Sequence, residues 1–233
     1  MALQLDTASA IEYQRRFETA GAKFLMSEKV VEVVLDPSKK AVSINLESGK
    51  TLPCDFVIVA AGVRPNCGFA EGADITIEKG IVVDNHMKTT APHIYAAGDV
   101  TGLSGIWPNA MKQGKVAAEN ILGEVSTYTD GYANKNTANF YGLVTLSIGL
   151  IAPNPEDGCD IYLREDRSIY QKIVVKDHKI KGVILQGDIS NSGFWQYLIK
   201  NQIDISGVQK QVFDLSFADF YGIEKNGEYH YIA

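Results

Sequence analysis

The stretch from Gly80 to Val100, Gly-Ile-Val-Val-Asp-Asn-His-Met-Lys-Thr-Thr-Ala-Pro-His-Ile-Tyr-Ala-Ala-Gly-Asp-Val, constrains the fold more than any other part of the chain. Ile81 to Val83 is a short β-branched run, Thr89 to Pro92 supplies turn residues, and Ile94 to Ala97 reads as a second short apolar strand. That strand runs into Gly98-Asp99. A glycine at a strand end permits close approach of a ligand to the backbone, and the carboxylate after it accepts hydrogen bonds from ligand hydroxyls. The next helical pattern begins at Trp107-Pro108, so free N–H groups and a positive dipole end are expected beside the same ligand. The sequence thus predicts a strand, a Gly-Asp turn and a helix N-terminus around one binding site, with Asp99 as its chemical point.

Taken in order, Asp6 is placed to cap a helix over residues 7–20, with Ala10, Ile11, Phe17 and Ala20 on one face and Gly21 as the stop. Residues 23–26, 30–35, 41–46 and 51–52 read as strands, turned by Asp36-Pro37-Ser38-Lys39 and Ser48-Gly49. Residues 55–61 are apolar on both faces, as in a strand whose sheet is covered on each side. From Trp107 to Leu122, the residues Ala110, Met111, Gly114, Ala117, Ala118 and Ile121 predict the packed stripe of a helix, with Gly123 past its end. Residues 127–137 are polar and read as a linker. Beyond it, 143–150, 160–163, 169–176 and 179–185 are antiparallel strand candidates, with Asp177-His178 as a hairpin turn and 193–200 as a short helix. The tail from Phe213 to Tyr231 carries three Phe and three Tyr, and is expected to pack on a neighbouring domain or subunit.

Composition removes several function classes. With 45% hydrophobic and 21% charged residues in 233, the chain can bury a core. A net charge of −6, with no Lys/Arg cluster longer than a pair, argues against a nucleic-acid or anionic-membrane surface. No apolar run approaches a membrane span and no basic region precedes an apolar core at the N-terminus, so a cytoplasmic protein is expected. Cys54, Cys67 and Cys159 form neither a disulfide framework nor a Cys-x-x-Cys pair. His86, His93, His178 and His230 lack metal-ligand spacing.

Two motifs carry a resemblance. Thr89-Thr90-Ala91-Pro92-His93-Ile94-Tyr95-Ala96-Ala97-Gly98-Asp99-Val100 is similar to the second FAD-binding motif of the pyridine nucleotide-disulfide oxidoreductases. Asp55-Phe56-Val57-Ile58-Val59-Ala60-Ala61-Gly62-Val63-Arg64-Pro65-Asn66 resembles the strand where that family's chain returns from the NAD domain to the FAD domain. The likeness is greatest to the branch of NADH:rubredoxin reductases, NADH oxidases and the flavoprotein part of nitrite reductases. It implies an α/β fold with an α+β C-terminal part. Residues 1–54 and 55–126 would be partial NAD(P)- and FAD-binding Rossmann-like domains, and 137–233 a small antiparallel interface or dimerisation domain. It also implies FAD as cofactor and NAD(P)H as co-substrate. By the same resemblance Asp99 would bind the ribityl chain, Val100 and the following backbone would face the flavin ring, Trp107 would lie near the ring edge, and Gly98 would be among the cofactor contacts. Gly62 and Arg64 would be further cofactor contacts, and no catalytic residue or metal ligand is assigned. Read without that context, Asp99 could be a turn residue or cap, Trp107 a packing anchor and Arg64 a solvated loop arginine.

No two of the 21 glycines lie two positions apart, so the dinucleotide fingerprint Gly-x-Gly-x-x-Gly is absent. The chain is therefore expected to be the C-terminal half of such an oxidoreductase, with weak or absent flavin binding and no activity alone. Its expected partners are the missing N-terminal half, a small redox protein acceptor, and a second copy in a homodimer or segment-exchanged dimer that covers bare apolar faces. The alternative is a fragment or module whose property is dimerisation or assembly.

Overall fold

The computed structural model describes residues 4–129 and 135–231. The chain divides into two compact units, one of residues 1–13 and 64–233, the other of residues 14–63. Helix α1, Thr7–Thr19, begins in the first unit and ends in the second. Asp6 caps it as expected, its Oδ1 accepting from the Ser9 amide at 3.1 Å and the Ser9 hydroxyl at 2.8 Å.

In the smaller unit β1 (Val30–Leu35), β2 (Ala41–Leu46) and β3 (Thr51–Pro53) form an antiparallel meander in that order. Asp36 makes the first turn by accepting from the Lys40 amide at 3.0 Å and the Ser38 hydroxyl at 2.7 Å, while Lys39 takes a positive φ of 65°. Two predicted strands are not formed. Residues 23–26 are turn and irregular chain, and 55–61 are unpaired and open to water. Phe56, Ile58, Val59 and Val63 are 72, 78, 82 and 88% exposed. A strand persists only through ladder bonds to a neighbour, and among the described residues none pairs with this segment.

The larger unit holds the main core. Strands β4 (Asn136–Phe140), β5 (Leu143–Gly149), β6 (Asp160–Asp166), β7 (Ile169–Lys176) and β8 (Lys179–Gln186) form one antiparallel sheet in the order β4-β5-β8-β7-β6. Of the linker expected over 127–137, residues 130–134 lie outside the described residues, and Asn136 and Thr137 open β4. Asp177 and His178 form the two-residue turn between β7 and β8, both at positive φ, with Lys176 opposite Lys179. Helix α3, Ser192–Asn201, lays Phe194, Trp195, Leu198 and Ile199 onto Ile148, Ile173, Val183 and Leu185. The aromatic tail corrects its expectation: Phe217 and Phe220 pack on Phe194 of α3 within the same unit, at ring distances of 5.1 and 6.1 Å. Beyond them β9 (Tyr221–Ile223) and β10 (Tyr229–Tyr231) pair as a short hairpin.

Residues 64–129 belong to the same unit and hold helix α2, Trp107–Ile121, together with single-residue bridges made within the segment itself. Neither 81–83 nor 94–97 becomes a full strand. Val83 bridges Thr89 and Tyr95 bridges Lys88, so the expected pair is reduced to isolated contacts around a tight turn. The face of α2 also differs from the predicted stripe. Asn109, Gln113, Val116 and Ala117 are buried, whereas Met111 and Ile121 are exposed.

Candidate functional site

The backbone at Gly98 has φ 84° and ψ −154°, a combination that glycine alone adopts without strain. From it a single 3-10 turn, Asp99–Thr101, runs to Gly102, also at positive φ. The turn is pinned on three sides. Ile81 donates its amide to the Val100 carbonyl at 2.9 Å, and Gly80 lies so close that a Cβ there would fall 2.5 Å from the Thr101 carbonyl carbon. The Cys67 thiol points at the Val100 carbonyl oxygen at 3.5 Å, and Pro65 lies beside Gly102. On the third side Gln113 of α2 accepts the Gly98 amide at 2.7 Å and the Thr101 hydroxyl at 3.2 Å.

Helix α2 starts behind this turn. Its cap residue Ile106 is extended and no side chain caps the helix, while Pro108 occupies the first turn. Asn109 turns inward and donates to the Ser104 hydroxyl at 2.8 Å, holding the loop between turn and helix. The α2 C-terminus is tied through Asn120, whose amide donates to the carbonyls of His86 (3.3 Å) and Ser126 (2.7 Å). The Asp99 carboxylate is exposed and has no partner among the described residues. An anion held at a pinned turn, free of internal bonds, can accept hydrogen bonds from a polyhydroxyl chain.

The predicted site residues divide accordingly. Gly98, Asp99 and Val100 form the turn, and α2, which begins at Trp107, is bonded to it through Gln113. Trp107 is 78% exposed and packs as no anchor. Arg64 is exposed next to Pro65, and Gly62, at φ 98° in open space, belongs to the smaller unit. No group of His, Cys, Asp and Glu suited to a metal ion occurs among the described residues. No helix there is long and apolar enough to cross a membrane.

Residues 2–114 match the family described as pyridine nucleotide-disulphide oxidoreductase, and residues 135–203 match the rubredoxin NAD+ reductase C-terminal domain. The chain belongs to the pyridine nucleotide-disulphide oxidoreductases. It is 30% identical over 218 residues to the assimilatory nitrate reductase electron transfer subunit of Bacillus subtilis, covering 92% of this chain and 28% of that protein. It is 33% identical over 148 residues to the NADH-rubredoxin oxidoreductase of Clostridium acetobutylicum, covering 62% of this chain and 38% of that one. In fold it is similar to a ferredoxin reductase from Rhodopseudomonas palustris, with a TM-score of 0.73 at 24% identity over 88% of this chain and 52% of the other. The chain thus spans about a quarter to a half of the length of these relatives.

Within this oxidoreductase family member, sequence reading missed Gln113. The predicted stripe runs through small side chains, and a glutamine on a buried face carries no apolar signal. Its spacing does carry one, since Asn109, Gln113, Val116 and Ala117 follow the i, i+4, i+7, i+8 rhythm of a single face.

Proposed function

We propose that the Gly98-Asp99 turn is the ribityl-binding corner of an FAD site in an NAD(P)H-dependent flavoprotein oxidoreductase. Residues 1–54, 55–126 and 137–233 would be the closing parts of its NAD(P)-binding, FAD-binding and C-terminal interface domains. The observation that carries the reading is the unpartnered Asp99 carboxylate on a turn whose glycine lets a ligand approach the backbone. The donor set fits the group: a carboxylate for sugar-alcohol hydroxyls, and an uncapped α2 start where negative charge is stabilised without reorganisation. When bound, a flavin would supply two-electron exchange with NAD(P)H and delivery of electrons to an acceptor. Asp99 would hold the ribityl hydroxyls, and the main chain at Gly98 and Val100 would border the ring. Trp107 would cover the ring edge, and Arg64, with Gly62, would approach the cofactor from the preceding loop. The names of the relatives favour a small redox protein such as rubredoxin as the acceptor.

The glycine loops that anchor the pyrophosphate in such enzymes are absent from these residues, so the turn alone should bind flavin weakly. Titration of the full chain with riboflavin, read by quenching of flavin fluorescence, tests this without any turnover. Saturable binding is expected, and Asp99→Asn should weaken it about tenfold or more, the worth of charge-assisted hydrogen bonds. No saturable quenching in the wild type would overturn the reading. The exposed apolar row at residues 56–63 favours self-association as a second property, in a homodimer or by exchange of segments.

A further inference from the structure

Gln113 is fully buried and uses only one end of its side chain. Its Oε1 accepts from the Gly98 amide and the Thr101 hydroxyl, while its Nε2 is buried with no partner among the described residues. An unpaired buried donor destabilises a fold, and an apolar residue of similar size would avoid that cost. The same replacement would leave the buried Gly98 amide without an acceptor, so the role of the carboxamide lies with Oε1.

Glycine has no steric preference that would select the Gly98 conformation over its other allowed regions. The amide hydrogen bond selects it. Its acceptor sits about two turns along α2 from the Ile106 cap. One bond therefore couples the Ala97–Gly98 peptide, one residue before Asp99, to the helix whose early residue Ala110 lies 3.5 Å from where a Gly98 Cβ would stand. The Thr101 hydroxyl shares its one proton between the Gly98 carbonyl at 2.8 Å and Oε1 at 3.2 Å, which closes the arrangement into a ring of three residues.

We propose that Gln113 is a positioning residue: through Oε1 it fixes the Gly98 peptide and hence the direction in which the Asp99 carboxylate leaves the turn relative to the α2 N-terminus. Its consequence for ligand binding rests on the flavin reading of Asp99, whereas the positioning itself does not.

The test is residue-resolved amide exchange by NMR on the full chain, with the Ile81 amide, which donates to Val100, as internal reference. In Gln113→Met the Gly98 amide should exchange about five- to tenfold faster relative to Ile81, and riboflavin binding should weaken by a similar factor. Gln113→Glu keeps an acceptor at this position and should restore the protection of Gly98. Thr101→Val, which leaves Gln113 in place, should also keep it. An unchanged ratio of Gly98 to Ile81 exchange in Gln113→Met would overturn the proposal, as would equal acceleration of both amides. If Gln113→Met does not fold, the other two variants decide, and loss of Gly98 protection in either overturns it. A wild-type chain that binds no riboflavin but shows the expected exchange pattern removes the flavin reading and leaves the positioning intact.

Discussion

The carboxylate of Asp6 serves the helix and the sheet together. Beyond capping α1, its Oδ2 accepts from the Tyr170 hydroxyl at 2.5 Å and from the Lys172 ammonium at 3.2 Å, on side chains that are 14% (Asp6) and 11% (Lys172) exposed. Burial pushes this carboxyl up, but bonds from Tyr170, from the Ser9 amide and hydroxyl and from Lys172 outweigh it and hold the pKa below the usual value. The folded chain thus gives up this proton more readily than the unfolded one. Its stabilising contribution is full above about pH 4 and is lost as pH falls through the folded pKa. Asp6→Asn should cost about 1–3 kcal/mol at pH 7 and flatten the acid limb, read by urea denaturation across pH 3 to 7. Tyr170 is pushed up by burial and then by the Asp6 bond and charge, so its contribution is lost only on the alkaline side, above about pH 10. Gly80 makes a second residue-scale case. Alanine there would drive a methyl into the Thr101 backbone, and Gly80→Ala should destabilise by about 1–3 kcal/mol in the same assay.

Elements whose pairing is local were legible in the sequence. The hairpin of β7 and β8 needs only its own two strands and a two-residue turn, and Asp177-His178 marked that turn correctly although neither residue is glycine. Both pay for it in left-handed backbone, so His178→Gly should stabilise by about 0.5–1 kcal/mol, measured as a shift in urea midpoint at constant slope. Residues 55–61 have the apolar pattern of a covered strand and stay unpaired, because that pattern specifies burial without supplying a neighbour. The same distinction divides the candidate site. Gly98 and Asp99 announced themselves through residue type and order, whereas Gln113 acts through one carboxamide oxygen whose target is set by the packing of α2. The β4 strand was hidden for a related reason: Asn-Thr-Ala-Asn-Phe carries turn residues, and its pairing with β5 overrides that local preference.

Across the whole molecule, buried apolar contact is concentrated in one place. Ile148, Ile173, Val183, Leu198 and Ile199 are inaccessible to water at the junction of the five-stranded sheet and α3, whereas most apolar residues of β1 are exposed. Local opening follows the density of such contacts, so the two units should report different stabilities under native conditions. Hydrogen exchange followed by mass spectrometry should find the slowest peptides in β5, β7, β8 and α3, with those of β1 to β3 at least tenfold faster. Uniform protection across both units would show that the smaller one is stabilised by contacts its own residues do not provide, and association is the obvious source. Ile58 separates these outcomes, because it is exposed and lies outside every strand. Ile58→Lys places a charge in the apolar row without disturbing any ladder, and should lower the concentration-dependent mass seen by sedimentation velocity while leaving the exchange of β7 and β8 unchanged.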